Sequence, residues 1–104
     1  MLPFLVVEDE ADSANMLEMI LASAGVSTEI AVNAEQALTL LRQNPQGYSL
    51  VIIDLALPGK DGFALLSELK NDPLLQNLQT VAITAYHTPE LRSRATKAGF
   101  SAYF

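Results

Sequence analysis

Acidic or hydroxyl-bearing side chains follow three of the short apolar runs of this chain. The runs and the side chains after them are 4–7 with Glu8 and Asp9, 50–53 with Asp54, and 81–83 with Thr84. Because the carboxyl ends of parallel strands meet at one edge of a sheet, we expect these side chains to share one crevice. Clustered carboxylates require a neutralising cation, and oxygen ligands suit a small divalent ion. The pattern predicts a magnesium site beside the hydroxyl of Thr84.

The predicted site suits phosphoryl transfer. The carboxylate of Asp54 can attack phosphorus and form an acyl phosphate if the incoming charge is neutralised. Magnesium keeps several waters, so Glu8, Asp9, a phosphoryl oxygen and the backbone carbonyl of Ala56 would complete its ligands. Thr84 can then donate a hydrogen bond to a phosphoryl oxygen. Modification of Asp54 is therefore expected to move the loop that follows Thr84.

The segments that must position these groups alternate between strand and helix patterns. Apolar runs predict strands at 4–7, 50–53 and 80–84, a more mixed segment predicts a short strand at 26–32, and a fifth strand is expected from Phe100 to Phe104. Between them, apolar residues recur at helical spacing, with Asn33, Asp61 and Thr88 as expected amino-terminal caps. Gly25 and Gly99 stand where helices end. This order predicts an α/β fold with a parallel, doubly wound sheet.

Composition limits the classes of function. The 104 residues, half of them hydrophobic, suffice for one small domain over 1–104. Six basic against twelve acidic residues give a net charge of −6, so a nucleic-acid surface is not expected. The chain has no cysteine, which excludes thiolate metal sites, and no apolar run has the length of a membrane span. A cytoplasmic location is the expectation.

Five segments together resemble the receiver domains of two-component response regulators. They are residues 5–10 (LVVEDE), 51–54 (VIID), 57–62 (LPGKDG), 83–85 (ITA) and Ala98-Gly99 followed by Tyr103. They cover nearly the whole chain in the family's order. The resemblance implies a flavodoxin-like fold with strand order 2-1-3-4-5.

The resemblance also implies functional roles. Asp54 would be the phosphoacceptor, Glu8 and Asp9 the metal-binding acids, Thr84 the switch hydroxyl and Tyr103 the switch aromatic. A histidine kinase or phosphotransfer protein would donate the phosphoryl group, and an effector or output domain would receive the signal. The implied role is that of a signalling domain and not of an enzyme.

The chain departs from the family near its carboxyl end. Members have a Lys shortly after the switch aromatic and then a last helix, whereas this sequence stops at Phe104, so we expect a C-terminally truncated receiver domain. Lys60, Lys70 and Lys97 are at the wrong places for that role. Without that ammonium group, coupling between Asp54 and its switch should weaken. A missing helix should also leave apolar surface on the sheet and first helix, which favours self-association.

Other interpretations remain open. A pseudo-receiver would keep the fold as an interaction module without phosphorylation. A phosphatase with an aspartyl nucleophile is disfavoured, because such enzymes place a second Asp where Ala56 stands.

Several side chains also have purely structural interpretations. Asp9 or Asp12 could cap the first helix, and Asp54 could begin an Asx turn. His87 is expected on a surface loop, and the first-helix methionines, Met16 and Met19, are expected to fill or flank the core.

Overall fold

The computed structural model describes residues 2–104 as five strands alternating with four helices. The elements are β1 (Phe4–Val7), α1 (Ala11–Ser23), β2 (Thr28–Ala31), α2 (Ala34–Gln43), β3 (Leu50–Asp54), α3 (Gly62–Lys70), β4 (Thr80–Ile83), α4 (Pro89–Ala98) and β5 (Ala102–Tyr103). All neighbouring strands pair in parallel, in the order β2-β1-β3-β4-β5. The predicted flavodoxin-like, doubly wound α/β fold is therefore confirmed.

The strand ends differ from the sequence prediction by one or two residues. Asp54 pairs with Ile83 and so belongs to β3, whereas Thr84 lies just beyond β4. β2 is shorter than the predicted run 26–32, and β5 contains only Ala102 and Tyr103. Apolar runs mark the buried part of a strand but not the last residue that joins the ladder.

Capping side chains fix where the helices begin. Asn33 Oδ1 accepts the Gln36 N–H at 2.8 Å, Asp61 Oδ1 accepts that of Ala64 at 2.9 Å, and Thr88 Oγ1 accepts that of Leu91 at 3.0 Å. These three predicted caps are confirmed.

The alternative interpretation in which Asp9 or Asp12 caps α1 does not hold, because Glu10 is the N-cap residue. The Glu10 carboxylate accepts the backbone N–H groups of Asp12 and Ser13, at 3.1 and 2.9 Å. The longer Glu side chain reaches both donors from the N-cap position, which leaves Asp9 available for the acidic edge of the sheet.

Helices α2, α3 and α4 pack over a dense apolar cluster on one side of the sheet. This cluster includes Leu5 and Val7 of β1 and Val51 and Ile53 of β3, all fully buried. We call this the core side. Because successive strand residues point to opposite faces, Val6 lies on the other side, and it is buried outside the cluster.

The opposite side of the sheet is covered by α1, of which only Ala14 is buried. Met16 and Met19 do not fill the core, which was one of the two places expected for them, since they are 58% and 73% exposed, and Ile20 beside them is 57% exposed. Helix α1 has its main contacts with β2, and the face that carries Met16, Met19 and Ile20 is left uncovered within residues 2–104. Among residues 2–104, no helix combines the length and the apolar character that a membrane span requires.

Candidate metal centre

The sheet register brings three of the predicted acidic residues to one place. Val7 of β1 pairs with Ile53 of β3, so Glu8 and Asp54 follow on adjacent strands. Oxygen atoms from Glu8, Asp9 and Asp54 all lie within 4.8 Å of one another. Three such carboxylates on adjacent strand ends can hold one divalent cation between them.

Glu8 is the most constrained member of this acidic cluster. Its side chain is only 5% exposed, and its Oε2 atom has no hydrogen-bond partner within residues 2–104. A buried carboxylate oxygen without a partner is costly, and a cation would satisfy it. The residues present therefore fit a hard divalent metal ion.

The electrostatics of Glu8 agree with this fit. Burial raises the pKa of Glu8 to about 8, with further contributions from the carboxyl groups of Asp54 and Asp9. Without a cation, the folded domain therefore favours the protonated form of Glu8 at neutral pH. A bound divalent ion would favour the ionised form instead, so metal binding would release that proton.

Asp54 has both a local structural role and a place in the acidic cluster. Its Oδ1 atom accepts the backbone N–H of Ala56 at 2.9 Å, as the Asx-turn interpretation predicts. A carboxylate can accept several hydrogen bonds or metal contacts, so this turn does not exclude a chemical role. Because the turn orients Asp54 at the end of β3, the two interpretations are compatible.

Gly62 allows the start of α3 to approach the end of β3. A Cβ atom at this position would lie 2.7 Å from the Asp54 carbonyl oxygen and 2.9 Å from the Leu55 Cα atom. Both neighbours are backbone atoms, which cannot easily move aside. Sequence reasoning used Gly62 only as part of a motif, because no local pattern shows that two backbones approach so closely.

A cavity of about 470 Å³ opens beside the acidic cluster. Its polar side includes Glu8, Asp54 and Thr84. Apolar and aromatic residues form much of the remaining wall: Met16, Leu17, Ala56, Ile83, Ala85, Tyr86 and Phe104. Of the residues the structure describes, no Lys or Arg lines this cavity.

The two predicted switch residues occupy different places. Thr84 lines the cavity, and its Oγ1 atom accepts the backbone N–H of Tyr86 at 3.1 Å. Tyr103 is not among the lining residues, and its hydroxyl lies 2.9 Å from His87 Nδ1. His87 is exposed on the β4–α4 loop, as predicted, but its contact with Tyr103 was missed. No sequence signal links two residues sixteen positions apart.

Comparison with known proteins agrees with this architecture. The family model described as "Response regulator receiver domain" matches residues 4–104. An "Uncharacterized 14.6 kDa protein in sodA1 3'region" of Leptolyngbya boryana is 37% identical over 100 residues, which are 95% of this chain and 74% of that protein. The crystal structure of a putative response regulator from Chloroflexus aurantiacus superposes with a TM-score of 0.91 at 30% identity, covering 98% of this chain and 82% of that one.

The extent of the match varies among relatives. The "Gliding motility regulatory protein" of Myxococcus xanthus is 30% identical over 95% of this chain, but the match spans only 13% of that protein. The match to this larger relative is therefore a match to one part of it. The family model covers almost all of residues 2–104, and the strand order agrees with the fold of the matching structures. This chain belongs to the family of response regulator receiver domains.

Proposed function

We propose that this domain accepts a phosphoryl group on Asp54 and converts the modification into a conformational signal. One observation carries the proposal: oxygen atoms of Glu8, Asp9 and Asp54 lie within 4.8 Å of one another at the end of the sheet. A cluster of that kind suits a divalent cation, and Asp54 is the member placed at the end of a central strand.

The transfer step requires a nucleophile and neutralised charge. A carboxylate oxygen of Asp54 attacks the phosphorus of a phosphohistidine donor, the new O–P bond forms, and the N–P bond breaks. The electron pair of that bond stays on the imidazole, which takes a proton from water. Glu8 and Asp9 would hold Mg²⁺ with Asp54, and the Ala56 carbonyl is the proposed backbone ligand. When bound, Mg²⁺ neutralises part of the phosphoryl charge.

The signal would begin at the cavity wall. In the proposed modified state, the Thr84 hydroxyl donates a hydrogen bond to a phosphoryl oxygen and the residue shifts towards Asp54. The loop that starts at Thr84 leads to α4 and would move with it. Tyr103 on β5 would respond, and the surface formed by α4 and β5 would present the change to an effector or output domain.

The proposed phosphodonor is a histidine kinase or phosphotransfer protein. Matching relatives include the "Sensor histidine kinase CheAY" of Helicobacter pylori, which is 23% identical over 95% of this chain. That name describes the relative, and it supports the general class of partner. On this proposal the domain works as a signalling module and not as an enzyme with a separate substrate.

A pseudo-receiver remains the second candidate. It is favoured by the cavity itself, in which no described Lys or Arg is available to neutralise a phosphoryl group. In this alternative, the domain keeps its fold and binds a partner without modification of Asp54.

Intact-mass measurement after incubation with acetyl phosphate and Mg²⁺ distinguishes a phosphoacceptor domain from a pseudo-receiver. We expect one phosphoryl group on the natural sequence and none on Asp54→Asn. The matched control is Asp12→Asn, which changes an exposed carboxylate outside the acidic cluster and should be modified normally. A folded protein that binds Mg²⁺ but gains no mass would favour the pseudo-receiver. Equal modification of the Asp54→Asn variant would contradict the assignment of the acceptor.

A further inference from the structure

We propose that His87 is a positioning residue, which holds the Tyr103 side chain away from the cavity until the β4–α4 loop moves. His87 Nδ1 lies 2.9 Å from the Tyr103 hydroxyl, and the ring centroids are 5.4 Å apart with an interplanar angle of 49°. The two side chains therefore meet both through a hydrogen bond and through their rings. The inference rests on the proposed function, in which Tyr103 responds to phosphorylation.

The position of Tyr103 makes its orientation sensitive to one polar contact. Its ring packs against the apolar cluster and is half-buried, while its hydroxyl meets the exposed His87 on the β4–α4 loop. Within residues 2–104, the hydroxyl has one hydrogen-bond partner, which is His87. A half-buried tyrosine favours the orientation that keeps its ring packed and gives its hydroxyl a hydrogen-bond partner. The His87 contact thus selects among orientations that the packing alone would allow.

The loop that carries His87 is fixed at both ends. At its start, Thr84 Oγ1 accepts the N–H of Tyr86 at 3.1 Å, and at its end Thr88 caps α4. His87 lies between these two anchored points. A shift of Thr84 towards Asp54 therefore changes the path of the loop while α4 remains capped, and the side chain of His87 must follow the loop.

Tyr103, by contrast, is tied to the sheet. It pairs with Ala82 in the β4–β5 ladder, and the N–H of the next residue, Phe104, donates to the Ala82 carbonyl oxygen at 2.8 Å. The backbone next to Tyr103 therefore stays with β4 while the loop changes its path. A relative displacement between His87 and Tyr103 follows, and it would break or weaken their hydrogen bond. The contact opposes the switch in the unmodified state and is lost in the modified state.

The experiment compares four variants of the chain. His87→Ala removes the partner, Tyr103→Phe removes only the hydroxyl, and His87→Gln keeps a hydrogen-bonding side chain. Arg92→Ala is the matched control, because this exposed residue lies on α4 away from the contact. NMR of ¹³C-labelled tyrosine rings reports Tyr103 in the variants that keep it. Titration with beryllium fluoride in the presence of Mg²⁺, followed by the backbone amide signals that every variant keeps, reports the response to a phosphoryl mimic.

We expect His87→Ala to change the Tyr103 ring signals before any beryllium fluoride is added. The beryllium fluoride concentration for half response should fall by about fivefold, since one ordinary hydrogen bond no longer opposes the switch. Tyr103→Phe should lower that concentration similarly, and the double variant should show little further change, because both substitutions remove one interaction. His87→Gln should show a smaller effect, and Arg92→Ala none.

Two results would overturn the inference, and both differ from failure of the proposed function. In the first, the natural sequence responds to beryllium fluoride, but His87→Ala has the same Tyr103 ring signals and the same half-response concentration as Arg92→Ala. The other is additive effects of His87→Ala and Tyr103→Phe, which would show that the two residues act separately. A natural sequence that ignores beryllium fluoride would contradict the proposed function. In that case the unliganded ring signals still decide whether His87 positions Tyr103.

Discussion

The two sides of the sheet differ in how their side chains are used. On the core side, α2, α3 and α4 cover a continuous apolar cluster without a charged member. On the other side, which we call the cavity side, α1 buries only Ala14 and leaves Met16, Met19 and Ile20 exposed. The cavity side also contains the buried and unpartnered carboxyl oxygen of Glu8.

The core side and the cavity side therefore contribute to different properties of the domain, the first to its stability and the second to its chemistry. The free energy of folding comes mainly from burying apolar area, so the core side should dominate the stability of the domain. The cavity side carries a group that is stable only with a proton or a cation. On the proposed function, the domain binds a metal and changes shape, and both are easier where the packing is loose.

The largest expected effect compares one leucine from the core side with one methionine from α1. Leu69→Ala removes a side chain that is 1% exposed, and it should lower the free energy of unfolding by about 3 kcal/mol. Met19→Ala removes a side chain that is 73% exposed, and the change should stay within about 0.5 kcal/mol. Urea denaturation followed by circular dichroism measures both. Similar losses for the two variants would show that α1 packs more tightly than its exposure indicates.

Much of the core side could be predicted from the sequence. The run 50–53 is apolar at every position, which indicates a buried strand and not an amphipathic helix. Asn33 and Thr88 have side chains of the types that cap helices at their amino-terminal ends. The predictions for α1 were less accurate. Apolar spacing showed that Met16 and Met19 share a helix, but it cannot show how much of that helix a sheet will cover.

Part of the candidate site could also be predicted from the sequence, because the order of strands and helices determines which side chains meet. Parallel strands bring their carboxyl ends to one edge, so the meeting of Glu8, Asp9 and Asp54 followed from topology. The contact between His87 and Tyr103 did not, because it depends on the path of a loop and on side-chain orientation. Such contacts have no periodic signature in a sequence.

The second prediction concerns pH and the buried acid of the cavity side. Because the pKa of Glu8 is about 8 in the folded domain and 4.5 ordinarily, the folded state binds this proton more tightly than the unfolded state. Its contribution is fully present below pH 4.5 and is lost as the pH rises through 8. Without Mg²⁺, the free energy of unfolding should therefore fall across this window, by at most about 1.4 kcal/mol per pH unit.

Glu8→Gln isolates that contribution, since it keeps a similar side-chain shape without the titrating proton. The variant should show a flatter dependence of unfolding free energy on pH than the natural sequence. Mg²⁺ added at pH 8 should stabilise the natural sequence more than the variant, because a metal replaces the proton as the partner of Glu8. Parallel pH profiles for both proteins would contradict the assignment of the titration to Glu8.

The smallest expected effect concerns association through the exposed face of α1. Met16, Met19 and Ile20 are spaced so that they lie on one helical face, and a second copy could cover this face. The net charge of −6 opposes contact between two copies, so association should be weak and should increase with salt. Light scattering over a range of protein concentrations, at low and high salt, measures this behaviour.

Ile20→Lys should keep the domain monomeric under all these conditions and change the free energy of unfolding by less than about 0.5 kcal/mol. Leu74→Lys is the matched control, because Leu74 is also an exposed apolar residue, at 71%, but lies after α3. The control should associate as the natural sequence does. If both substitutions prevent association equally, the added positive charge and not the face of α1 is responsible. If the natural sequence stays monomeric at high salt, the exposed face of α1 provides no contact between copies. The loose packing of α1 would then matter only for the cavity beside it.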